Sequence, residues 1–287
     1  MRETTSWIVL TMGDRPAEVA TAIDSIRRQS TPPDEIVLVG NGTDPGTLPG
    51  VRSLALPENL GVAGGRNAGA AAATGDILFF LDDDARCADA HVAAAVVELM
   101  DRRLDVAVVS MRITDETTGE TQRRHVPRLR AGDSARSSDV TTFLGGACAI
   151  RRADFERCGG YPAEFFYAME ETDLAWQLLD RGRAVHYLAS ALVHHPSTVP
   201  ARHGRAFVWT ARNRVWLAHR RLPRVLVPVY LGIWTALMIA RAPSMRAGRD
   251  VVRGLAEGVC RTTPRPIHRM RWRTVVAMTR LGRPPVI

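Results

Sequence analysis

Short apolar runs, separated by polar and glycine-rich punctuation, organise the first two hundred residues. Residues 7–10 form a brief apolar run that predicts a strand. Residues 17–28 have helical spacing, with Pro16 near the start. Residues 35–39 predict a second strand, ended by Gly40-Asn41-Gly42, and residues 51–56 a third. Residues 64–73 predict a helix of small side chains. Residues 77–81, Ile77-Leu78-Phe79-Phe80-Leu81, are apolar at every position, as expected of a strand covered on both faces. A helix over 88–102 and a strand over 106–110 continue the alternation. This rhythm predicts an α/β fold, a mostly parallel sheet with helices on both faces.

The pattern then changes. Residues 114–139 are polar, with a turn signal at Thr117-Thr118-Gly119-Glu120; the arginines, Ser134, Ser137 and Ser138 suggest a mobile loop. A strand is predicted over 144–150 and a helix over 170–181, capped by Gly182. Two short strands follow, over 184–188 and 191–195. Residues 206–221 form a basic helix containing tryptophan. Residues 225–240 carry no charge and are flanked by Arg220, Arg221, Arg224 and Arg241. Sixteen residues are short for a membrane span, which needs about 20. Tyr230, Trp234 and the flanking arginines fit a segment lying in a membrane interface, or a helix packed on protein. The pattern divides the chain into an α/β region, 1–220, and a basic, hydrophobic helical region, 221–287.

The 287 residues suit one large domain with an appendage, and 46% hydrophobic residues exclude global disorder. The net charge of +8 admits an anionic partner. Without a zinc finger, a helix-turn-helix or an aromatic-and-basic RNA motif, nucleic acid is not the expected one. Cys87, Cys148, Cys158 and Cys260 are widely spaced with no C-x-x-C pair, which predicts reduced thiols. Residues 1–7 lack the features of a signal peptide, so a cytoplasmic location is expected.

The candidate chemistry sits where strands end. An open parallel sheet binds ligands at the carboxyl ends of its strands. The ends at Thr11, at Gly40-Asn41-Gly42 and at Asp82-Asp83-Asp84 should converge there. Clustered carboxylates repel unless a cation lies among them, and a divalent metal bridging a carboxylate to a diphosphate would resolve that. The glycine-rich stretch from Asn59 to Gly69 would let backbone approach a ligand, with Arg66 available to a phosphate. Glu170, Glu171 and Asp173 lie at a helix start, where the dipole favours the ionised form. Glu171 or Glu170 could act as a general base. His194-His195 closes a strand and could supply an imidazole to the metal.

In their order along residues 6–220 these segments resemble the family-two glycosyltransferases, with the GT-A fold. The matching pieces are Ile8-Val9-Leu10-Thr11, Gln29, Val39-Gly40-Asn41-Gly42-Thr43-Asp44, Asn59-Leu60-Gly61, Gly64-Gly65-Arg66-Asn67-Ala68-Gly69 and Phe80-Leu81-Asp82-Asp83-Asp84. Gly145-Gly146, Gly159-Gly160-Tyr161, Phe165-Phe166 and Glu170-Glu171-Thr172-Asp173-Leu174 follow. The flavour is similar to rhamnosyl- and galactofuranosyl-transferase-like bacterial members. The resemblance implies that Thr11, Gly40 and Asn41 face the nucleobase and that Arg66 and Asn67 line the nucleotide pocket. Asp82 would approach the ribose or diphosphate, with Asp83 beside it. Asp84 and His194 would hold Mg2+ or Mn2+, and Gly145-Gly146 would border sugar and acceptor. The base would be the second residue of the acidic pair, Glu171. Two positions depart from the family pattern. Gly40 stands where Asp is common, leaving Asn41 or Asp14 for the base contact, and Glu171 stands where Asp is usual.

The implied activity is an inverting, metal-dependent hexosyl or deoxyhexosyl transfer. The donor would be a UDP, dTDP or GDP sugar. The acceptor would be a glycan, a lipid-linked molecule or a small molecule, in bacterial cell-surface glycan, glycolipid or natural-product glycosylation. The enzyme would sit in the cytoplasm, peripheral to the inner face of the membrane. The rivals are a nucleotidyltransferase and a catalytically impaired sugar-nucleotide-binding or membrane scaffold protein. Only one glycine in Thr11-Met12-Gly13-Asp14-Arg15-Pro16 argues against the nucleotidyltransferase.

Overall fold

The computed structural model describes residues 3–128, 133–196, 204–261 and 267–287. The chain begins with β1 (Thr5–Thr11), α1 (Pro16–Arg27), β2 (Glu35–Asn41), β3 (Arg52–Leu56), α2 (Gly61–Ala72) and β4 (Ile77–Asp82). There follow β5 (Arg86–Cys87), α3 (Val92–Arg102), β6 (Val106–Thr114), β7 (Ser138–Val140), β8 (Ala147–Arg151), α4 (Arg152–Arg157), α5 (Glu170–Asp180) and β9 (Ala184–His194). Four helices end the chain: α6 (Ala206–Arg221), α7 (Leu226–Ala240), α8 (Met245–Cys260) and α9 (Trp272–Arg280).

One sheet runs in the order β3-β2-β1-β4-β8-β6-β9-β5, with β7 also paired to β9. The first four strands in that order are parallel. β8 is antiparallel to both β4 and β6, while β6 and β9 are parallel. β4 is apolar from Ile77 to Leu81 because alternate side chains enter two separate cores. Phe79 and Leu81 join Trp7, Val9, α1 and α3 on one face. Leu78 and Phe80 join Ile8, Val37, α2 and α5 on the other. Trp7 stacks on Phe79 across the strand pair, centroids 4.3 Å apart. α2 is built of small residues because it lies close against the sheet: a Cβ on Gly65 would meet Leu10 at 2.5 Å, and one on Gly69 would meet Ile8 at 2.5 Å.

Two expectations change. The polar stretch 114–139 is not wholly an open loop, since Ser138, Asp139 and Val140 pair with β9. Asp139 accepts from His186 and Arg103, which ties that strand down. Residues 129–132 of the stretch lie outside the described residues. The two short strands over 184–195 are one strand: its pairing with β6 jumps from Met111↔Leu188 to Arg112↔Leu192, so residues 189–191 bulge without breaking it.

The expected boundary at 220/221 falls in the last turn of α6, and α8 packs lengthwise against that helix. No helix among the described residues is long and apolar enough to cross a membrane. α7 nevertheless has only Val227 and Tyr230 buried. Val225, Val229 and Ile239 stand exposed.

Candidate active site

Mixed strand directions bring distant segments to one edge. β4 ends at Asp82, and β8 runs against it, so the residues before β8 meet that end: the Asp82 amide donates to the Gly146 carbonyl at 3.0 Å. β9 runs parallel to β6 and finishes at the same edge. The glycine pair is required by close approach. A Cβ on Gly146 would lie 2.0 Å from Asp82 Oδ2, and one on Gly145 would lie 2.3 Å from Arg66 Nη1 and 2.4 Å from Glu171 Oε1. Only glycine leaves room for the three side chains to meet.

Arg66 holds that meeting together. Its Nη2 donates to Asp82 Oδ1 at 2.8 Å, and its Nη1 lies 3.5 Å from Glu171 Oε1. The side chain is only 6% exposed, so it bridges two carboxylates rather than reaching freely for a phosphate. Next to it, Asp82, Asp84 and His195 each offer a ligand atom, all within 4.8 Å of one another. His195 Nε2 lies 3.1 Å from Asp84 Oδ1 and 3.7 Å from Asp82 Oδ2. Two carboxylates and an imidazole form a donor set suited to Mn2+ or Mg2+. The cluster fits a cation on electrostatic grounds too. Burial disfavours the His195 charge, yet the hydrogen bond to Asp84 and the field of Asp82 and Asp84 raise its pKa to about 9. Burial opposes ionisation of Asp84, but His195 and Arg15 together hold its carboxyl below the usual range. Arg15, on the loop after β1, also pairs directly with Asp84. Positive charge is thus already drawn to the place a metal would occupy, and a bound metal would displace the imidazole proton.

His194, the expected ligand, does not join this cluster. It is paired in register with Arg86 and Thr114, and its Nδ1 lies 3.0 Å from Thr114 Oγ1. Successive residues on a strand point to opposite sides, so one position decides which histidine reaches the carboxylates. The structure brings His195 to them.

The other expected residues divide between the crevice and its supports. Asp83 lies 3.5 Å from Arg15. Burial, reinforced by Asp82 and Asp84, pushes its carboxyl up to about 6 against a hydrogen bond from Thr11. Thr11 is buried, and its hydroxyl accepts from the Gly13 amide at 3.1 Å. Gly40 has no room for a side chain: a Cβ there would meet the Thr43 carbonyl at 2.3 Å. The departure from Asp is therefore built into the loop that folds over β2.

Asn41 is a candidate for the nucleobase contact, but both of its amide hydrogens are taken. It donates to Asn59 and to the Gly61 carbonyl, and accepts from the Leu60 amide at 2.8 Å. It sets the start of α2 instead. Asn67 is likewise a fastener, donating to the Tyr161 carbonyl and accepting from the Tyr161 amide. Asp14, the other candidate, is exposed beside Arg15.

Glu170 and Glu171 open α5, after Phe166, Ala168 and Met169, three non-glycine residues with φ of 64°, 69° and 73°. Backbone of that kind is strained, and it persists only where its surroundings force it. Asn213, fully buried on α6, supplies the force. Its Nδ2 lies 2.9, 2.8 and 2.8 Å from the carbonyls of Phe165, Tyr167 and Ala168. Arg212 Nη2 donates to Glu164 and Phe165 carbonyls. Arg221 grips Asp173 through two bonds, at 2.7 and 2.9 Å, and Arg220 pairs with Glu164 at 2.9 Å. Sequence reasoning missed these four residues and Arg15. The available signal was an asparagine, a poor helix former, inside an otherwise regular helix.

The acidic pair is split by burial. Glu170 is 2% exposed, and its Oε2 has no hydrogen-bond partner. Burial, then the neighbouring Glu171, push its carboxyl up to about 8. Glu171 is 22% exposed at the crevice. Burial raises its carboxyl as well, against Arg66 and a hydrogen bond from the Gly145 amide. His125 stands nearby, 6.1 Å from the His195 ring.

Known proteins share both the sequence pattern and the fold. The family model for Glycosyl transferase family 2 matches residues 6–159. The pre-mycofactocin glycosyltransferase of Mycobacterium tuberculosis is 28% identical over 165 residues, 55% of this chain and 33% of that protein. The O-antigen chain rhamnosyltransferase RfbN of Salmonella typhimurium is 24% identical over 191 residues, 60% of each. The chain thus spans between a third and three-fifths of the length of these relatives. GalNAc-T7, solved with UDP, GalNAc and Mn2+, superposes with a TM-score of 0.64 at 15% identity, covering 88% of this chain and 54% of that one. The mannosyltransferase PcManGT of Pyrobaculum calidifontis, solved with GDP-Man and Mn2+, superposes at 0.56 with 20% identity over 98% and 85%. The fold is that of the GT-A glycosyltransferases, and the chain belongs to glycosyl transferase family 2.

Proposed function

We propose that the chain is an inverting glycosyltransferase. It moves a hexosyl or deoxyhexosyl group from a nucleoside-diphosphate sugar of the UDP, dTDP or GDP type to an acceptor hydroxyl. The observation that carries this reading is the convergence of Asp82, Asp84 and His195 with Arg66 and Glu171 at one strand edge. The neighbouring proteins solved with UDP or GDP-Man and Mn2+ support it.

Asp82, Asp84 and His195 would hold Mg2+ or Mn2+, which when bound neutralises the diphosphate as it departs. Thr11, the strand end at Gly40-Asn41 and Asp83 shape the nucleotide side, and Gly145-Gly146 keeps the sugar side open. Glu171 takes the proton of the acceptor hydroxyl. The acceptor oxygen forms its bond to the anomeric carbon as the carbon–phosphate oxygen bond breaks on the opposite face, so configuration inverts. Glu171 suits the base because it reaches the crevice, where burial raises its pKa. Glu170 is buried and held neutral beside it. Arg66 positions Asp82 and Glu171 at once.

The relatives' names point to surface glycan or natural-product glycosylation as the setting. The exposed apolar side of α7, with Arg224 and Arg241 at its ends, supports a peripheral position on the inner face of the cell membrane. The test is a thermal-shift screen with Mn2+ against UDP, dTDP and GDP, followed by transfer from the matching sugars. Stabilisation by one nucleotide and metal-dependent turnover are expected. Nucleotide binding without transfer to any acceptor would favour the impaired scaffold.

A further inference from the structure

Two arginines reach the aspartates at the end of β4, and they are held differently. Arg66, on α2, is 6% exposed and fixed between Asp82 and Glu171. Arg15, on the loop between β1 and α1, is 21% exposed and faces the carboxylates of Asp14, Asp83 and Asp84. Asp14 is exposed and lies at 3.9 Å, and Asp83 lies at 3.5 Å, so Asp84 is the close partner. Burial on a helix keeps Arg66 in place, whereas Arg15 stands on a loop at the mouth of the crevice.

The two oxygens of Asp84 serve different cations. Oδ1 lies 3.1 Å from His195 Nε2, which also lies 3.7 Å from Asp82 Oδ2. Oδ2 pairs with the Arg15 guanidinium. The charge of Asp84 is therefore already balanced on its far side. A divalent cation among Asp82, Asp84 and His195 would share Asp84 with that guanidinium, one carboxylate away. Positive charges at such a separation repel strongly where water is partly excluded.

Arg15 is also tied to the nucleotide side. Asp83, its second partner, accepts a hydrogen bond from Thr11. Thr11 Oγ1 in turn accepts from the Gly13 amide at 3.1 Å. Gly13 has a φ of 79°, and a Cβ there would meet Thr43 Oγ1 at 2.8 Å. The loop that carries Arg15 thus turns closely against the loop that folds over β2. Thr11, Asp83, Arg15 and Asp84 make one connected chain from the nucleotide side to the metal side. Phosphate oxygens are acceptors that match a guanidinium as well as a carboxylate does.

We infer that Arg15 makes metal binding conditional on the nucleotide. Its guanidinium holds Asp84 and opposes a divalent cation that arrives alone. The phosphate oxygens of a nucleoside diphosphate accept the guanidinium in place of Asp84, and Asp84 is released to the metal. This rests on the glycosyl-transfer reading and adds the order in which its site fills: metal enters with the nucleotide or after it.

The test has two arms, both on the full chain. The first titrates Mn2+ alone, followed by electron paramagnetic resonance. The second titrates UDP, dTDP and GDP by calorimetry with and without Mn2+. The factor by which Mn2+ tightens the nucleotide equals the factor by which the nucleotide tightens Mn2+. Arg15→Gln should bind Mn2+ alone about tenfold more tightly than the wild type, and its coupling factor should fall about tenfold, as for removal of one nearby charge. Arg15→Lys keeps the charge and should bind Mn2+ alone much as the wild type does. Far-UV spectra and cooperative melting verify the fold of each variant. An Arg15→Gln variant that binds Mn2+ alone no more tightly than the wild type overturns the proposal. Weaker Mn2+ binding in that variant, by the same factor with and without nucleotide, would overturn it too, and would leave Arg15 merely orienting Asp84. If none of the three nucleotides binds the wild-type protein, the transferase reading fails, and the Mn2+-alone arm still decides whether Arg15 opposes the cation.

Discussion

Arginine meets carboxylates both beneath the acidic loop and at the carboxyl edge of the sheet, and these two meetings differ. Beneath the acidic loop, α6 presents Arg220, Arg221 and Asn213 to groups that match them. Arg221 grips Asp173 with two bonds, Arg220 pairs with Glu164, and Asn213 meets three carbonyls. At the carboxyl edge of the sheet the balance is incomplete. Asp83 is pushed up to about 6, Glu170 has an oxygen with no partner, and His195 holds a proton because Asp82 and Asp84 crowd it. Matched charge buried under the loop fixes geometry. Unmatched charge at the edge costs stability, and it persists where a ligand completes it.

The contrast is sharpest at Asp84. Asp84→Ala should lower kcat/KM for sugar transfer by about a thousandfold, the scale of several kcal/mol of lost charge stabilisation. The protein should remain folded, because the edge is not what holds the loop. Transfer assays with and without Mn2+ measure it, and full activity would remove Asp84 from the metal. Glu171→Gln comes next, with a loss of about a hundredfold or more in kcat and little change in nucleotide affinity, as for removal of a general base. If Glu171→Gln is harmless and Glu170→Gln is not, the roles of the pair are reversed.

Asn213→Ala probes the matched side. Three carbonyls would lose their shared donor, at a cost of about 1–3 kcal/mol in stability. The loop from Phe166 to Met169 would then relax from its left-handed backbone. Both kcat and melting temperature should fall, whereas Asp84→Ala and Glu171→Gln lower activity alone.

A separate effect, on stability, is a pH dependence at Glu170. Its folded pKa is raised above the usual carboxylate value, so the folded protein holds a proton that the unfolded chain has released. The neutral form contributes stability that is complete below the unfolded pKa and is lost as pH rises towards about 8. Glu170→Gln keeps the group neutral, so the variant should gain on the wild type between about pH 5 and pH 8 and level off above. Melting curves across that range measure the gap, and a constant gap would mean that Glu170 is ionised in the fold.

Much of the edge is legible in the sequence because it depends on local pattern. Five apolar residues followed by three aspartates read as a buried strand emerging, and the small residues 64–73 read as a helix. Choosing between His194 and His195 depends on parity, and parity depends on how many residues bulge in β9 between its two stretches of pairing with β6. Nothing in residues 184–195 fixes that number. The family resemblance casts Asn41 and Asn67 as ligand contacts, yet partners distant in sequence hold both amides. Asn213 is the reverse case: its role exists only once α6 lies under a loop some 45 residues earlier.

The central claim is that Asp82, Asp84 and His195, and not His194, hold the metal that binds the donor diphosphate. Titrating Mn2+ by electron paramagnetic resonance, with the preferred nucleoside diphosphate present, tests it most directly. His195→Ala should weaken Mn2+ binding by about tenfold to a hundredfold, and His194→Ala should bind within about threefold of the wild type. The opposite ranking, or equal binding by wild type and both variants, would contradict the account.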